Sequence, residues 1–562
     1  MSSITRSCTI TQQSFAVSEW EQNFLAKMSP SFQGKKFDIP LPSLCPAERM
    51  RRRTSWQNER NLYHRKCDAT GKDLISNFHA DVLFPVYEKG YWFSDKWNTL
   101  SYGRDFDFSK SFFENFKLLR DTVPRFAIQQ QEPMENCDFC NFASNCKDCY
   151  LIFDSDFCRD CYYSDVLKHS QDCLDCSFTS GGELCYETIH CMNCYNLRYS
   201  ENCQTCMDSF FLKNCIGCKN CAFSMNLRNK QYYFANEPLS KEAYEVKLAE
   251  YRLGTYSGVQ SLSKAFEEFS KMFSNKYMEG TQNDHATGDY IYNSKNVLQS
   301  FNIEECFDVA YSENLFRAKD CMDVSSFGEN TEMVYDSATV GLDTQNICFS
   351  FGTVTNCSNL YYCDIGYSSK NCFGCVSLNR NEYCVLNKQY SKEEYEALVP
   401  KIIEHMKETG EWGEFFPTYV SPFSYNETIA MEYFPLTKEA VIAQGWKWRE
   451  ADQSAKHVGA NYQLPDNILD AEAYVSSEIH HCEVTGKAYK IIPQEFKIYK
   501  NLGIPLPRRC PAQRHLDRVA KRHPRTLWER KCDKCAQGIE TSFAPERTEL
   551  VYCEKCYLES VL

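Results

Sequence analysis

The sequence predicts a mainly β protein with helices, in which two cysteine-lined β-solenoids are joined by helices and flanked by a duplicated end module. Three observations predict this fold class. Cysteines recur in one phase modulo three over two long stretches, residues 39–78 align without a gap with residues 504–543, and helical patterns separate these parts. Self-similarity at a fixed spacing is typical of stacked repeats.

The first predicted solenoid is defined by its cysteines. Sixteen cysteines lie between Cys137 and Cys221, and all of them share one position modulo three. The other residues in this phase are small or aliphatic, and none is charged or aromatic. A helix cannot keep this period on one face, because its face recurs about every 3.6 residues. The pattern therefore indicates the wall of a narrow β-solenoid.

A second spacing predicts the size of one coil. Cysteines at intervals of fifteen predict coils of about 15 residues with five inward positions, and the unbroken column consists of Cys146, Cys161, Cys176, Cys191, Cys206 and Cys221. Equivalent positions of neighbouring coils should lie about 4.8 Å apart, at the interstrand spacing.

The same phase returns in the second predicted solenoid. The cysteines that share it are Cys306, Cys321, Cys348, Cys357, Cys363, Cys372, Cys375 and Cys384. Between residues 327 and 345, the polar residues Asn330 and Asp336 occupy predicted inward positions, which predicts a distorted coil there. Valine and leucine replace many cysteines in this half. We therefore interpret the thiols chiefly as compact, buried wall residues.

These patterns divide the chain into seven predicted parts. They are a degenerate zinc-ribbon-like module (1–110), a helical linker (111–136), the first solenoid (137–235), a helical insert (236–295), the second solenoid (296–390), a helical and irregular strap (391–475) and a zinc-ribbon module (476–562).

The zinc assignment rests on the C-terminal copy of the duplicated module. It carries two C-x-x-C turns, Cys532 with Cys535 and Cys553 with Cys556. Two such turns supply four thiolates at tetrahedral corners, which predicts one structural Zn²⁺ ion with no open coordination position. In the N-terminal copy only Cys67 remains of these ligands. Thr70, Glu88 and Tyr91 replace the other three, and we predict no tetrathiolate site there.

Each module also carries a second, incomplete cysteine pair. The N-terminal module contains Cys8 and Cys45, and the C-terminal module contains Cys482 and Cys510. Three residues after Cys8 and after Cys482, where a C-x-x-C turn would have its second cysteine, the sequence has a threonine. His480 and His481 are candidates to complete the C-terminal pair, and the alternative is that they are ordinary surface histidines. The sequence leaves open whether Cys482 and Cys510 bind a second metal ion.

A basic segment lies at or just before Cys67 in the N-terminal module and Cys532 in the C-terminal module. Its net charge is +4 over residues 45–75 and +7 over residues 508–535, in a chain of net charge −13. Such segments can bind a phosphate backbone. The candidate nucleic-acid contacts are Arg51, Arg52, Arg53, Arg60, Arg514, Arg518, Arg522 and Arg525. The alternative is a solvated helix face that balances an acidic chain.

The order of parts resembles an uncharacterised family of cysteine-rich bacterial proteins with zinc-ribbon ends. The resemblance rests on the motifs at 530–535 and 551–557, on Ser-Asp-Lys-Trp at 94–97 with the aromatic stretch at 102–108, and on the Asn-Cys-x-x-Cys coils. It implies a fold but no activity. The loss of most N-terminal turn cysteines departs from the family pattern.

The residues favour a non-enzymatic zinc-binding scaffold that contacts RNA, the ribosome or a protein partner. We find no nucleotide-binding, metalloprotease or dinucleotide motif. One alternative is storage of soft metal ions or thiol redox equivalents in the cysteine columns. Another, by fold analogy alone, is an enzyme that acts on polysaccharide. No apolar run approaches the length of about 18 residues that a membrane span needs, and we expect a cytoplasmic protein of undetermined oligomeric state.

Overall fold

The computed structural model describes residues 3–450 and 462–561 and contains mainly β structure with helices, as the sequence predicts. Two β-solenoids lie side by side, and the end modules and the strap pack against their outer faces. The part of the predicted strap at 451–461 lies outside the described residues. In the described part of the chain, no helix has both the length and the apolar character needed to span a membrane.

The N-terminal module and its linker precede the first solenoid. Their helices are α1 (Glu19–Met28), α2 (Pro46–Thr54), α3 (Lys89–Trp92) and α4 (Phe112–Arg120). Their strands are β1 (Ile4–Ser7), β2 (Ser14–Val17), β3 (Ser31–Phe32), β4 (Lys35–Lys36), β5 (Tyr63–Lys66), β6 (Asp73–Ser76), β7 (Val86–Tyr87) and β8 (Arg125–Phe126).

The first solenoid ends at a hairpin that leads into two helices. Its strands are β9 (Gln130–Glu135), β10 (Asn141–Lys147), β11 (Phe153–Asp156), β12 (Asp165–Lys168), β13 (Ser177–Ser180), β14 (Tyr186–Met192), β15 (Tyr195–Glu201), β16 (Met207–Lys213), β17 (Ala222–Met225), β18 (Tyr233–Phe234) and β19 (Glu237–Pro238). Helices α5 (Lys241–Glu250) and α6 (Tyr256–Ser270) follow, and the Ser240 side chain caps the start of α5.

The second solenoid follows a short strand, β20 (Ser274–Lys276). Its strands are β21 (Gly280–Thr281), β22 (Asp284–Tyr292), β23 (Lys295–Glu304), β24 (Phe307–Ala310), β25 (Glu313–Phe316), β26 (Lys319–Ser325), β27 (Gly328–Glu329), β28 (Glu332–Ala338), β29 (Gln345–Cys348), β30 (Phe351–Val354), β31 (Ser358–Tyr361), β32 (Asp364–Tyr367), β33 (Lys370–Phe373), β34 (Val376–Asn379), β35 (Glu382–Val385) and β36 (Lys388–Gln389).

The strap and the C-terminal module complete the fold. Their helices are α7 (Lys392–Glu408), α8 (Ile429–Tyr433), α9 (Lys438–Ala443), α10 (Pro493–Leu502), α11 (Pro511–Lys521) and α12 (Glu554–Val561). Their strands are β37 (His480–His481), β38 (Ala488–Tyr489), β39 (Trp528–Lys531), β40 (Gly538–Thr541) and β41 (Leu550–Tyr552). Short 3₁₀ helices lie at Thr99–Tyr102, Thr418–Val420, Tyr425–Glu427, Ile468–Asp470 and Ala473–Ser477.

One coil of the first solenoid contains twelve residues, so the predicted length of fifteen is wrong. Asn141 pairs in parallel with Phe153, Phe153 with Asp165, and Asp165 with Ser177. The cysteine phase could not decide between the two lengths, because both are multiples of three. With twelve residues, the longest cysteine column runs through Cys137, Cys149, Cys161, Cys173 and Cys185.

A left-handed backbone corner explains the step of three. Every third residue from Asn136 to Ala235 has a φ between +47° and +66°. Each corner residue directly precedes an inward residue, so one side of the coil contains three residues and four sides close it. Asn and Asp recur at these corners, since they tolerate this conformation better than other non-glycine residues.

Small polar side chains complete the backbone hydrogen bonds inside the lumen. The backbone N–H groups of outward-facing residues and of corner residues donate to backbone carbonyl oxygens of a neighbouring coil. The Tyr162 N–H, for example, donates to the carbonyl oxygen of Cys173 at 2.9 Å. Inward N–H groups instead donate to inward side chains one coil earlier. The N–H of Leu167 donates to Ser155 Oγ at 3.0 Å, and that of Ala318 donates to Cys306 Sγ at 3.3 Å.

The thiols also act as donors. Cys161 Sγ donates to the carbonyl oxygens of Arg159 at 3.3 Å and Ser170 at 3.5 Å, and the same pair of contacts recurs along the columns. The solenoid cysteines are buried, apart from the half-buried Cys137 at the open end. The interpretation of cysteine as a wall residue is confirmed by this burial.

The second solenoid contains the predicted irregular region. Cys321 pairs with Val334, Val334 with Ile347 and Ile347 with Leu360, so that three successive coils contain thirteen residues each. These insertions move the inward phase by one residue per coil. Cys348 consequently lies outside the lumen, in the outer core with Tyr361 and Phe373, and its predicted inward position is wrong.

Two predicted boundaries also change. The first solenoid begins at β9 rather than at residue 137, and the second begins at β21 rather than at residue 296. The first coils were missed because cysteines do not occupy their inward positions. The helical insert is therefore confined to α5 and α6.

The two solenoids contact each other along their flanks. His190 of the first stacks on Tyr290 of the second with ring centroids 3.5 Å apart, and the Tyr290 hydroxyl donates to Asn202 Oδ1 at 3.0 Å. On the far side of the second solenoid, α1, α4 and α7 bury an aromatic-rich core that includes Trp56, Phe116 and Trp412.

The lumen predicts a stability test. We expect Cys161→Ala to lower the free energy of unfolding by about 1–2 kcal/mol, because it removes a buried sulfur and its contacts. Cys161→Ser should cost less, since serine occupies equivalent positions elsewhere in the wall. Urea unfolding measures both, with the half-buried Cys137→Ala as control. Equal effects of all three substitutions would contradict the proposed role of the thiols.

Candidate metal centre

Backbone geometry positions the first two cysteines of the C-terminal group. Strands β39 and β40 form an antiparallel hairpin, and Cys532 follows β39 directly. The Cys532 N–H donates to the Gln537 carbonyl at 2.8 Å, and the Ala536 N–H donates back to the Cys532 carbonyl at 2.9 Å. Ala536 has a φ of +61°, which closes this tight turn. The turn directs two thiols to one side.

The other two cysteines lie where β41 meets α12. The Asp533 side chain connects the two turns, because its Oδ2 accepts the Val551 N–H at 2.7 Å. Strand β41 pairs in parallel with β20, which precedes the second solenoid. The Tyr557 hydroxyl of α12 donates to Asn226 Oδ1 at 3.0 Å, at the last coils of the first solenoid. The centre is thus attached to both solenoids.

The four sulfur atoms fit a tetrahedral ion. The Sγ atoms of Cys532, Cys535, Cys553 and Cys556 all lie within 4.8 Å of one another, and Cys535 Sγ is 3.7 Å from Cys553 Sγ. A zinc–sulfur bond of about 2.3 Å implies a tetrahedral edge of about 3.8 Å. Cys535 is exposed and the other three are buried. Among the described residues, these four cysteines form the group of three or more His, Cys, Asp or Glu side chains whose ligand atoms lie close enough together to hold one metal ion.

The electrostatics of the group differ from thiol to thiol. Burial opposes ionisation of Cys532, but the N–H groups of Cys553, Cys535 and Lys534 point at its sulfur and lower its pKa to about 6. Burial and the neighbouring thiols raise the pKa of Cys556 to about 12. Thiolates this close repel one another, so a bound cation would stabilise the deprotonated group. The donor set fits a soft divalent ion that neutralises them.

The N-terminal copy keeps the backbone of this turn without the ligands. Asp68 Oδ2 accepts the Val86 N–H at 2.6 Å, as Asp533 does for Val551. The position of Cys553 is taken by Glu88, whose N–H donates to Cys67 Sγ at 3.2 Å. Lys72 Nζ lies 3.2 Å from the Glu88 carboxylate.

The incomplete pairs have the same turn geometry. The N–H of Cys482 donates to the Lys487 carbonyl at 2.9 Å, and Thr485 Oγ1 lies 3.9 Å from Cys510 Sγ. His480 is 1% exposed and its Nε2 lies 3.1 Å from the Val475 carbonyl. Among the described residues, neither His480 nor His481 lies close enough to both Cys482 and Cys510 for the three side chains to bind one metal ion. The interpretation of His480 as a surface histidine is wrong.

The structure places the arginines predicted to contact nucleic acid largely in internal contacts. Side-chain exposure is at most 12% for Arg51, Arg52, Arg53, Arg514, Arg518, Arg522 and Arg525. Arg60 lies 4.3 Å above the Phe153 ring, and Arg51 pairs with Glu48. Carboxylates of the solenoids and the strap already neutralise most of these guanidinium groups. A phosphate backbone could reach them only after the modules detach.

Helix α2 attaches the N-terminal module to the second solenoid. Arg53 Nη1 lies 3.1 Å from Asp323 Oδ1 and 2.9 Å from Asp336 Oδ1. Arg52 Nη2 lies 2.7 Å from Asp336 Oδ2 and Arg49 Nε lies 2.7 Å from Asp323 Oδ2. Both aspartates are buried in the contact.

Helix α11 makes the equivalent contact with the first solenoid. Arg518 Nη1 lies 2.7 Å from Asp175 Oδ1, and Arg514 pairs with the same carboxylate and with Glu495. Arg518 Nε donates to Ser177 Oγ at 3.2 Å, as Arg53 Nε donates to Ser325 Oγ at 3.1 Å. Each end module therefore packs against the solenoid that is more distant from it in sequence.

Sequence reasoning did not find these acidic partners. One of them, Asp336, could have been noticed in the sequence, because it is a charged residue at a predicted inward position of the second solenoid. Its carboxylate faces α2 because the thirteen-residue coils shift the phase there. Asp175 lies at a corner position and gave no signal of its own.

Comparisons with known proteins add little. No protein-family model and no curated protein matches the chain. Among solved structures, the chain is similar to one described as an acetyltransferase from Desulfovibrio desulfuricans G20, with 11% identity, a TM-score of 0.10, and coverage of 43% of this chain and 65% of that chain. At this TM-score the similarity carries no argument. The molecule is thus described by its own features, as a double β-solenoid with a four-cysteine group.

The arginine contacts predict large stability effects. We expect Arg518→Met to lower the free energy of unfolding by about 3–5 kcal/mol, because the buried Asp175 loses a direct partner. The control is Arg509→Met on a pair that is 37% exposed on the arginine side, for which we expect about 0–1 kcal/mol. Urea unfolding measures both, and equal effects would mean that the buried contact does not hold the module.

Proposed function

We propose that the protein is a non-enzymatic scaffold whose C-terminal module is held by one structural Zn²⁺ ion. The observation that carries this proposal is the closed donor set of Cys532, Cys535, Cys553 and Cys556. Four protein sulfurs leave no position for substrate or activated water, which is the difference between a structural and a catalytic zinc site.

The surroundings of the group support a mechanical role. Helix α12 contacts the first solenoid through Tyr557, and β41 extends β20 at the entrance to the second. An ion that fixes β41 relative to α12 therefore fixes the module relative to both solenoids. Zn²⁺ would supply charge neutralisation and a rigid tetrahedral node there.

We propose that partners bind the solenoid faces and are proteins rather than RNA. In support of this preference, arginines of the basic helices α2 and α11 already pair with buried carboxylates, which leaves less free positive charge for a phosphate backbone. A reducing cytoplasm suits a chain whose cysteines, where described, are free thiols.

Metal content tests the zinc proposal. We expect about one zinc per chain by native mass spectrometry with elemental analysis, since one group of four thiols is present. The double variant Cys553→Ser/Cys556→Ser should lose it. Cys67→Ser, at the equivalent turn of the N-terminal module, is the matched control and should retain it. A protein without zinc, or with many equivalents of a soft metal, would favour other functions, and the latter would favour storage in the cysteine columns.

Chelation tests the mechanical role. We expect removal of the ion to increase hydrogen exchange at β41 and α12, because the thiolates that the ion would hold together would then repel one another. The hairpin β5–β6 should keep its protection, since its turn lacks the ligand set. Equal loosening of both hairpins would show a global rather than a local effect.

A further inference from the structure

A large cavity lies outside the metal centre, between the N-terminal module, α4 and the strap. Its volume is about 1,090 Å³. The wall contains residues from segments that are far apart in sequence, including Tyr63, Lys117, Arg120 and Lys447. Cavities of this order hold small-molecule ligands in other proteins. Neither the solenoid lining nor the zinc proposal assigns it a role.

Positive charge is incompletely balanced on one side of this cavity. Lys117 and Arg120 both pair with Asp121. Lys447 Nζ donates to the Ser421 carbonyl at 2.7 Å, and among the described residues it forms no ion pair with a carboxylate. Lys117 and Arg120 therefore share one aspartate, and Lys447 lies beside them without a carboxylate partner of its own among the described residues.

Arg120 strengthens this imbalance. It is 2% exposed, and its Nε and Nη2 atoms have no hydrogen-bond partner. The guanidinium lies 5.6 Å from the Phe84 ring and 5.9 Å from the Trp56 ring, which are apolar supports without a negative charge. A buried donor without a partner is costly, so a fixed cation of this kind favours a nearby anion.

The neighbouring positive charge also affects the pKa of Lys447. Burial and the nearby Arg120 guanidinium lower its pKa to about 8. Lys447 lines the cavity, and the residue as a whole is exposed although its Nζ contact with Ser421 is partly buried. An ammonium group has three donors, so the contact with Ser421 leaves hydrogen-bonding capacity for an anion.

The opposite wall is balanced and supplies different contacts. Arg449 lies 2.7 Å from Glu427 and 3.2 Å from Asp81, so its charge is already paired. Trp448 lines the space between the walls, and Leu83 at the same cavity is 77% exposed. This side offers apolar surface to the remainder of a ligand whose anionic group lies near Lys447.

We propose that this cavity binds a phosphate-bearing small molecule, with the phosphate on Lys447 and Lys117 and within the field of Arg120. Phosphate matches the site because it accepts several charge-assisted hydrogen bonds and carries enough charge for Lys447 together with the two cations that share Asp121. The remainder of the molecule lies towards Trp448 and Leu83. This role goes beyond the scaffold and does not depend on the zinc ion.

Equilibrium binding to the full chain tests the proposal. The probes are inorganic phosphate and AMP, measured by calorimetry at low ionic strength, because exposed ion contacts weaken with salt. We expect Lys447→Gln and Lys117→Gln each to weaken binding by about tenfold. Lys407→Gln is the control, since Lys407 is a lysine of α7 that pairs with Glu404. It should leave the affinity unchanged.

Chemical labelling provides a second readout on the folded wild-type protein. A bound phosphate should protect Lys447 from an amine-acylating reagent, and Lys407 should react at the same rate with and without the probe. Tighter binding of AMP than of inorganic phosphate would support a ligand that uses the apolar wall, and equal binding would support recognition of the phosphate alone. Absence of binding, an equal loss in Lys407→Gln, or unprotected Lys447 would overturn the proposal.

Discussion

The width of the lumen is the constraint on which the structure depends. Three-residue sides with left-handed corners bring inward N–H groups close to the side chains of the preceding coil, as Leu167 and Ser155 show. A wall residue must be small enough to fit and polar enough to accept this hydrogen bond. Serine and cysteine meet both conditions, while leucine fits where small neighbours leave room. The many cysteines thus follow from backbone geometry, and their redox chemistry is not needed to explain them.

The outer faces of the coils determine how the rest of the chain is arranged. The three longer coils of the second solenoid bring Asp336 to face α2, and the corner residue Asp175 faces α11. Buried arginine–aspartate contacts then attach each end module to the solenoid that is more distant in sequence. Such contacts require paired charges, because either partner alone would be buried without compensation. The strongly basic segments of an acidic protein therefore have an internal purpose.

The chemistry of the molecule lies outside its solenoids. Four thiols gather at the junction of β41 and α12, and Lys117, Arg120 and Lys447 are among the cationic residues that line the cavity beside α4. The N-terminal module shows that the ribbon backbone persists where its ligands are reduced to Cys67. A metal ion at the C-terminal turn would thus be an addition to an existing backbone, and we propose that it would act on the attachment of the module more than on its local fold.

The sequence by itself determined the two solenoids, the buried cysteine wall, the duplicated modules and the four-cysteine group, because each of these follows from spacing along the chain. The tertiary structure decided the coil length, since twelve and fifteen residues give the same phase modulo three. It also decided the fate of Arg53 and Arg518, whose partners lie hundreds of residues away. The cavity around Lys447 likewise joins distant segments. Charges that look solvated in a linear sequence become internal once folding brings their counterions to them.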